Sequence, residues 1–309
     1  MLKNSLDFLT TCRNHKFPTL QEQENLVEKK LASKKVSHCG KYVMFKYTRR
    51  AMYDKLWFTH PELMECRGHV YNIASGDIVV MAPRKSFNYT ENAWWSEVGD
   101  DEYVYVTKKY NGFLCNRTVL ENDILVTTTG SFDSDFVNLA KYSILDAPKN
   151  ILFHEPDPNP ITASYEVIHS SDPHIVDEGR NRIEILTYRM QHGDNVPFNL
   201  RGMTFGEAKE LAKTDTGEGF MVYHCDDYKM LSPCKLKTDT YVGRKSIMRA
   251  SANSLQNMYK NPENWCKIRH LNQKYTKIAI NITICYSFDL FNSMSDQERR
   301  VIIEEMEKQ

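Results

Sequence analysis

Runs of hydrophobic residues along the chain, some alternating with polar ones, indicate many short β-strands and a few helices. The run at 103–106 is aromatic or β-branched throughout, which is typical of a strand covered on both faces. Asn111 and Gly112 follow it and readily adopt the positive φ values of a tight hairpin turn, so 113–120 is predicted to return as the second strand of the hairpin. Lys109 is therefore expected at a strand end, on a rigid element.

The remaining pattern predicts an α+β chain. Further strands are expected at 42–47, 65–71, 78–81, 124–129, 161–168, 183–188, 219–223 and 234–237. Helices are expected from the capping box at Thr19 to about Ser33, at 134–142, from the capping box at Thr204 to about Lys213, and from the capping box at Ser295 onwards. Strands dominate 1–243, and 244–309 shows no regular strand alternation. We therefore predict an antiparallel-rich domain followed by a small, mainly helical one.

Composition is that of a folded globular protein and excludes several classes. The 309 residues are 41% hydrophobic and 11% aromatic, and 40 basic residues cancel 40 acidic ones, so a polyanionic partner requires a local patch. The eight cysteines form no C-x-x-C pair, and His224, Cys225 and Cys234 lack an evident fourth zinc ligand. No apolar run approaches the roughly 18 residues of a membrane helix. A soluble, cytoplasmic protein with reduced thiols and no membrane partner is expected.

Several cations lie at or near predicted strand ends. A lysine attacks phosphorus only as the neutral amine, and burial or neighbouring cations favour that form. Lys109 is therefore a candidate nucleophile. The alternative is that Lys109 is an ordinary surface lysine of a hairpin. Lys235 and Lys237 alternate along one strand and therefore share a face. Arg67 stands beside Gly68, and a glycine inside a strand often marks a close approach by ligand or backbone.

Two carboxylates and one mixed segment complete the candidate chemistry. Glu166 stands among apolar neighbours and needs a partner such as a cation, a ribose hydroxyl or a metal. Glu218 lies between two glycines at the mouth of a strand. The segment 84–89 interleaves cations with aromatic residues and could hold phosphate or stack on a base.

The stretch from Arg244 to Lys277 is strongly basic. It contains eight basic residues and one acid, with Tyr259, Trp265 and Tyr275 between them. Such a mixture is what a single-stranded nucleic-acid surface requires, and a solvated helical face explains it equally well.

Read in order, these motifs resemble a known superfamily. They are Arg67-Gly68, Lys85, Lys109-x-Asn111-Gly112, Tyr165-Glu166, Glu218-Gly219-Phe220 and Lys235-x-Lys237. The series resembles the covalent nucleotidyltransferases, and most closely the bacteriophage RNA ligase 1 family that repairs cleaved tRNA. The resemblance covers about residues 40–243.

This resemblance implies a fold, a reaction and a site. It implies an ATP-grasp-like ligase fold with an adenylyltransferase domain over 1–243, and a candidate RNA-binding domain over 244–309. It implies an ATP-dependent RNA ligase that forms lysyl-AMP on Lys109, passes AMP to an RNA 5′-phosphate and joins that end to a 3′-hydroxyl. The implied nucleotide-binding residues are Tyr47, Arg67, Lys85, Phe87, Gly112, Glu166, Glu218, Lys235, Lys237 and Tyr241. Glu218 is implied to bind Mg²⁺ or Mn²⁺. The expected partner is RNA, as single-stranded ends or a nicked tRNA anticodon loop, and the expected state is a monomer, in a host cytoplasm if phage-encoded.

The sequence departs from this family in three places. Asn111 stands where most relatives have Asp, and Thr129 stands where the phage family has a lysine. The region after Val242 is also shorter than the helical domain of that family. Two alternatives therefore remain: a GTP-dependent RNA guanylyltransferase, and an RNA- or nucleotide-binding module that has lost catalysis.

Overall fold

The computed structural model describes residues 17–91, 93–120, 123–148, 162–172, 174–189, 195–226, 229–230 and 233–308. The fold is α+β, with antiparallel-rich sheets and helices at the C-terminal end, as the sequence predicts. No helix in these ranges is long and apolar enough to cross a membrane.

The first sheet has four antiparallel strands in the order β1-β2-β3-β4. These strands are β1 (Ala32–Val36), β2 (Tyr42–Tyr47), β3 (Arg67–Asn72) and β4 (Ile78–Val80). Helix α1 (Leu20–Glu28) precedes them and has the predicted capping box at Thr19. The expected extension of this helix to Ser33 is wrong, because Lys30 has a φ of 58° and the following residues pair with β2. Helix α2 (Arg49–Tyr53) follows β2.

Two five-stranded sheets form the body of the molecule. The strands of the first are β5 (Phe87–Asn88), β6 (Tyr103–Lys109), β12 (Arg201–Thr204), β13 (Gly219–Tyr223) and β16 (Cys234–Lys237). They lie in the order β12-β6-β13-β16-β5. The strands of the second are β7 (Phe113–Val119), β8 (Ile124–Thr128), β9 (Thr162–Ile168), β10 (Arg182–Arg189) and β11 (Asn195–Pro197). They lie in the order β11-β10-β9-β7-β8. A short two-stranded ladder joins β14 (Cys225–Asp226) to β15 (Lys229–Met230).

Helices cover these sheets. Helix α3 (Ala93–Glu97) precedes β6, and α4 (Asp135–Leu145) follows β8. Ala140 and Ile144 of α4 share a hydrophobic core with Tyr165 and Val167 of β9. Helix α5 (Phe205–Thr214), which has the predicted capping box at Thr204, packs on the sheet that contains β6.

The predicted hairpin at Asn111-Gly112 is wrong. Strand β6 pairs with β12 on one side and β13 on the other, so it has no free edge for β7, which joins the other sheet. Neither residue of the turn has a positive φ. Glycine is needed at 112 for a different reason: a Cβ there would lie 2.2 Å from the carbonyl oxygen of Val167. The chain therefore crosses between two sheets immediately after Lys109.

The C-terminal helices surround a separate hydrophobic core. They are α6 (Asp239–Met248), α7 (Ala252–Lys260), α8 (Pro262–Ile268), α9 (Gln273–Cys285), α10 (Phe288–Ser293) and α11 (Asp296–Glu307). Ile175 and Val176, from the β9–β10 connection, belong to this core. Position 243, the proposed domain boundary, falls inside α6, and the division into two functional domains stays a prediction.

The aromatic residues of the basic stretch do not form an exposed platform. Trp265 and Tyr275 are 2% and 1% exposed and pack within the helical core. Arg244 forms ion pairs with Glu304 and Glu307 of α11, at 2.7 and 2.6 Å. The interpretation of 244–277 as a stacking surface is therefore wrong for these two rings, because they are needed to fill the helical core.

Candidate active site

Lys109 is the last residue of β6, where it lies opposite Gly219 of β13. This pairing brings its Nζ within 2.8 Å of Glu218 Oε1, and the two side chains are 20% and 6% exposed. The strand-end position predicted for Lys109 is confirmed. The amine therefore lies in a largely buried ion pair at the edge of a sheet.

Asn111 fixes the carboxylate of this pair. Its Nδ2 donates to Glu218 Oε2 at 3.2 Å. Its Oδ1 accepts the backbone N–H groups of Ile175 and Val176 at 2.9 and 3.0 Å. The side-chain amide thus bridges the Lys109 site and the segment that packs among the C-terminal helices.

Glu166 approaches the site from β9. Its Oε1 accepts the backbone N–H of Gly112 at 3.0 Å. Burial raises the pKa of its carboxyl to about 7, a shift that Lys109 opposes and Glu218 reinforces. At neutral pH this carboxyl is close to half ionised, so it can both accept and donate a hydrogen bond.

The predicted pair of lysines on β16 faces the same region. Lys237 lies opposite Gly219 and Lys235 opposite Met221 on β13. Burial, together with the neighbouring charges of Arg67, Lys85 and Lys109, lowers the pKa of Lys235 to about 6. Burial and Lys245 also lower the pKa of Lys237. Buried cations that repel one another are stabilised by a bound anion, so this arrangement favours the binding of a polyanion.

A cleft of about 330 Å³ contains part of the predicted set. Predicted residues in its lining are Arg67, Lys109, Gly112, Glu166 and Lys235. The cleft lining also includes Arg84, from the mixed segment 84–89. It further includes Lys108, Thr129, Thr187 and Arg189, which the sequence does not assign to the site. Cations in the lining outnumber the single acid, Glu166, so the cleft is electropositive.

Arg189 is the main residue that the sequence did not reveal. It is 1% exposed, and its Nη2 lies 3.4 Å from Glu65 Oε2. Glu65 also pairs with Arg84, so two arginines share one buried carboxylate. The only signal was a charged residue immediately after the predicted strand 183–188.

The other predicted residues lie outside the cleft lining. Phe87 is 1% exposed and packs against Trp57 and Phe58, with ring centroids 5.5 and 6.1 Å away. Lys85 Nζ lies 4.8 Å from the centroid of Trp57 and 4.5 Å from that of Phe87, and burial lowers its pKa to about 8. Phe87 therefore packs between aromatic rings and against the Lys85 amine.

Tyr47 and Tyr241 also support neighbours. Tyr47 packs edge-on against Trp57 at 6.0 Å. Tyr241 is buried, and the amines of Lys237 and Lys245 lie 5.6 and 5.4 Å from its ring centroid. Nucleotide contacts by Tyr47, Lys85, Phe87, Lys237 and Tyr241 stay predictions.

The donor set fits a divalent cation that is held partly by substrate. Among the residues that the structure describes, no group of three or more His, Cys, Asp or Glu side chains could hold a metal ion. Mg²⁺ keeps several waters and is commonly bound by one or two carboxylates together with substrate phosphates. Glu218, whose oxygens meet Lys109 and Asn111, fits that mode of binding.

Solved structures of ATP-dependent ligases have the same fold. An archaeal ATP-dependent RNA ligase aligns with a TM-score of 0.54 and 13% identity, over 90% of this chain and 77% of that chain. A putative ATP-dependent DNA ligase from Aquifex aeolicus aligns with a TM-score of 0.50 and 12% identity, over 92% of this chain and 75% of that chain. No family model and no curated protein matches the chain.

The chain therefore has the nucleotidyltransferase fold of ATP-dependent ligases. Identities of 12 and 13% show the fold alone. The closer resemblance to the bacteriophage RNA ligase 1 family stays a prediction.

Proposed function

We propose that this protein is an ATP-dependent RNA ligase that joins a 3′-hydroxyl to a 5′-phosphate through lysyl-AMP on Lys109, in the repair of tRNA or other single-stranded RNA. The observation that carries this proposal is the position of Lys109. Its amine contacts Glu218, and Lys109 lines a cleft that is rich in cations. A nucleophilic amine beside a polyphosphate-binding surface is what nucleotidyl transfer to lysine requires.

Three displacements at phosphorus make up the reaction. The Lys109 Nζ attacks the α-phosphorus of ATP, forms a P–N bond, loses a proton and expels pyrophosphate. An oxygen of the RNA 5′-phosphate then attacks the same phosphorus, breaks the P–N bond and returns the lysine to the free amine. Finally, the 3′-hydroxyl of the other end attacks the activated 5′-phosphate, loses its proton and releases AMP.

Named residues supply the electrostatics of these steps. Lys235 and Lys237 would neutralise the phosphates and the charge that develops on them. Glu166 would hold a ribose hydroxyl. Glu218 would take the proton of Lys109 or hold Mg²⁺ or Mn²⁺, and such a cation, when bound, neutralises the leaving pyrophosphate.

The direct test is labelling with ATP radioactive in the α-phosphate, in the presence of a divalent cation. The unaltered chain should become labelled, and Lys109→Ala should not. Lys213→Ala is the control, because Lys213 lies outside the cleft lining, is 61% exposed and pairs with Glu210 at 2.5 Å. Label that persists on Lys109→Ala would remove this residue from the mechanism.

Substrate class is tested separately. A nicked tRNA anticodon loop, a linear single strand of RNA, a nicked RNA duplex and a nicked DNA duplex should be compared, and we expect sealing of the single-stranded or anticodon-loop RNA. Labelling from GTP in preference to ATP would instead select a guanylyltransferase. Binding of RNA without labelling or sealing would select a module that has lost catalysis.

A further inference from the structure

The most uneven distribution of charge in the chain lies near its beginning. Residues 29–53 contain eight lysines and arginines and no aspartate or glutamate, in a chain whose net charge is zero. They form β1, β2, the turn between them and α2. We call these cations the N-terminal basic surface: Lys29, Lys30, Lys34, Lys35, Lys41, Lys46, Arg49 and Arg50.

Most of this charge is not neutralised within the described part of the chain. Three members have a carboxylate partner: Lys34 pairs with Glu24, Lys35 with Asp133 and Arg50 with Asp54. The other five form no ion pair with any carboxylate in the described ranges, and all five are exposed: Lys29, Lys30, Lys41, Lys46 and Arg49. The C-terminal basic stretch has a similar share of paired cations, since Arg244, Arg249 and Lys274 pair with acids of α11. It differs in containing an acid, Glu263, and in having the Trp265 ring buried.

Backbone contacts bring the two ends of this surface together. The N–H of Thr48, which caps α2, donates to the carbonyl of Leu31 at 2.9 Å. The lysines after α1 therefore lie beside the start of α2. Within α2, Arg49 and Tyr53 are four residues apart and so share a face. Tyr53 is 72% exposed, which leaves a large aromatic ring available next to a cation.

Lys46 connects this surface to the cleft. It lies opposite Arg67 across β2 and β3, and Arg67 lines the cleft. The register skips Gly68 at this point, and the resulting bulge redirects the strand. Like charges directly opposite each other in an antiparallel pair are destabilising. An anion held between Lys46 and Arg67 would remove that repulsion.

The side chain of Lys46 lies against Gly130, where an added Cβ would be 3.0 Å from its Nζ. The preceding residue, Thr129, lines the cleft. Lys46 thus brings a cation of the basic surface beside the residue that follows Thr129 of the cleft lining.

We propose that the N-terminal basic surface binds the phosphate backbone of a single-stranded RNA whose end enters the cleft, and that Tyr53 stacks on one of its bases. Cations that follow a backbone beside an exposed aromatic ring are the composition of single-strand binding surfaces. The choice of RNA rests on the proposed function. The location of the surface rests on charge, exposure and the contact with Gly130.

The first test removes equal charge from the two competing basic regions. One variant carries Lys29→Gln, Lys46→Gln and Arg49→Gln. The matched control carries Lys260→Gln, Lys267→Gln and Lys277→Gln, which are exposed lysines of the C-terminal stretch. Affinity for a short, 5′-phosphorylated RNA strand is measured by fluorescence anisotropy at several salt concentrations.

We expect the first variant to bind RNA at least about tenfold more weakly. The slope of log K against log salt should fall by about 2, since each neutralised phosphate of a single strand contributes about 0.7. The control should retain the affinity and slope of the unaltered chain. Weaker binding by the control alone, or equal losses in both variants, would overturn the proposal.

The second test addresses Tyr53. Tyr53→Ser should weaken RNA binding at least about fivefold, and Tyr53→Phe should retain it, because stacking requires only the ring. Equal affinities of the two variants would remove stacking from the proposal.

Two further measurements separate the possible explanations. Vesicles with and without phosphatidylserine test whether the surface binds an anionic membrane. Loss of vesicle binding in the first variant, with RNA binding unchanged, would overturn the proposal.

Labelling of Lys109 from ATP without RNA reports on the proposed function alone. A chain that is never labelled but loses RNA binding in the first variant would refute the ligase and support the RNA surface.

Discussion

Lys235 is the residue whose charge should change most when a nucleotide binds. Its pKa of about 6 means that its amine is mainly neutral near pH 7.5, because burial and the cations around it disfavour the charged form. The phosphates of ATP bring negative charge and should raise this pKa. ATP binding near pH 7.5 is therefore expected to take up close to one proton, and affinity should weaken as the pH rises.

Calorimetry in buffers of different ionisation enthalpy measures this uptake directly. Lys235→Met is the matched variant, since it keeps the length of the side chain and removes the titrating group. It should bind ATP more weakly and without the proton uptake. A binding enthalpy of the unaltered chain that is independent of the buffer would contradict the prediction.

Glu166 should lower stability at alkaline pH. Its pKa rises from an ordinary 4.5 to about 7 on folding, so the folded chain holds this proton more tightly than the unfolded chain. The contribution of the protonated Glu166 carboxyl to the free energy of unfolding is complete below pH 4.5 and is lost as the pH rises through 7. Glu166→Gln should therefore raise Tm by a few degrees near pH 8, at roughly 2–4 °C per kcal/mol.

The same substitution should have little effect on Tm near pH 4, where both side chains are neutral. Labelling from ATP should fall by at least about tenfold, because a neutral amide replaces the carboxylate that we propose holds the ribose. A Tm difference of the same size at both pH values would show that packing, and not ionisation, causes it.

Single residues of the site were predictable where a charged side chain stands within or at the end of an apolar strand. Lys109, Lys235 and Glu166 are charged residues of predicted strands, and this pattern can be seen in the sequence alone. Arg189 was missed because its partner, Glu65, is 124 residues away. The bridging role of Asn111 was equally invisible, since Ile175 and Val176 lie in a connection without periodicity.

At the scale of elements, the sequence indicated strands more reliably than their partners. The strand β6 and the strand that follows it were both predicted, and the hairpin between them was wrong. Alternation shows that a segment is a strand, but β12 and β13, which occupy both edges of β6, come from more than 90 residues further along the chain. The same limit explains the helix predicted at 32–33, where pairing with β2 overrides the local pattern.

Gly112 shows how strongly the crossing between sheets is constrained. Gly112→Ala would bring a Cβ to 2.2 Å from the carbonyl oxygen of Val167, so the backbone must shift. We expect a loss of about 1–3 kcal/mol or more in the free energy of unfolding and a loss of labelling on Lys109. Thermal or urea unfolding and the labelling assay measure both effects.

Gly40→Ala is the control for replacing a glycine. Its Cβ would meet nothing within 4 Å, and its φ of 70° adds only backbone strain of about 1–2 kcal/mol. Labelling on Lys109 should be retained in this variant. If Gly112→Ala were labelled as well as Gly40→Ala, the close approach of Val167 would not matter for the site.

At the scale of the whole molecule, the side-chain amide of Asn111 forms hydrogen bonds both to a segment of the helical core and to the Lys109 site. Asn111 receives backbone N–H groups from a segment of the helical core and donates to Glu218. Asn111→Asp would remove the donor and place a second carboxylate beside Glu218. Labelling on Lys109 should fall by about 10- to 100-fold, the equivalent of a lost hydrogen bond to a charged group.

Asn111→Ala separates the loss of hydrogen bonds from the repulsion between carboxylates. It removes the hydrogen bonds without adding charge, so the further loss in Asn111→Asp measures repulsion between carboxylates. Activity of Asn111→Asp equal to that of the unaltered chain would show that the bridge is not needed.

The crossing of the chain at 110–112 divides the site between two sheets. Lys109, Glu218 and the two lysines of β16 belong to one sheet and its edge, whereas Glu166 belongs to the other. A movement of one sheet against the other would change the distance from Glu166 to the Lys109 amine and leave the Lys109–Glu218 pair intact. A nucleotide that contacts both Glu166 and Lys235 would connect the two sheets, so the distance between them would depend on whether the site is occupied.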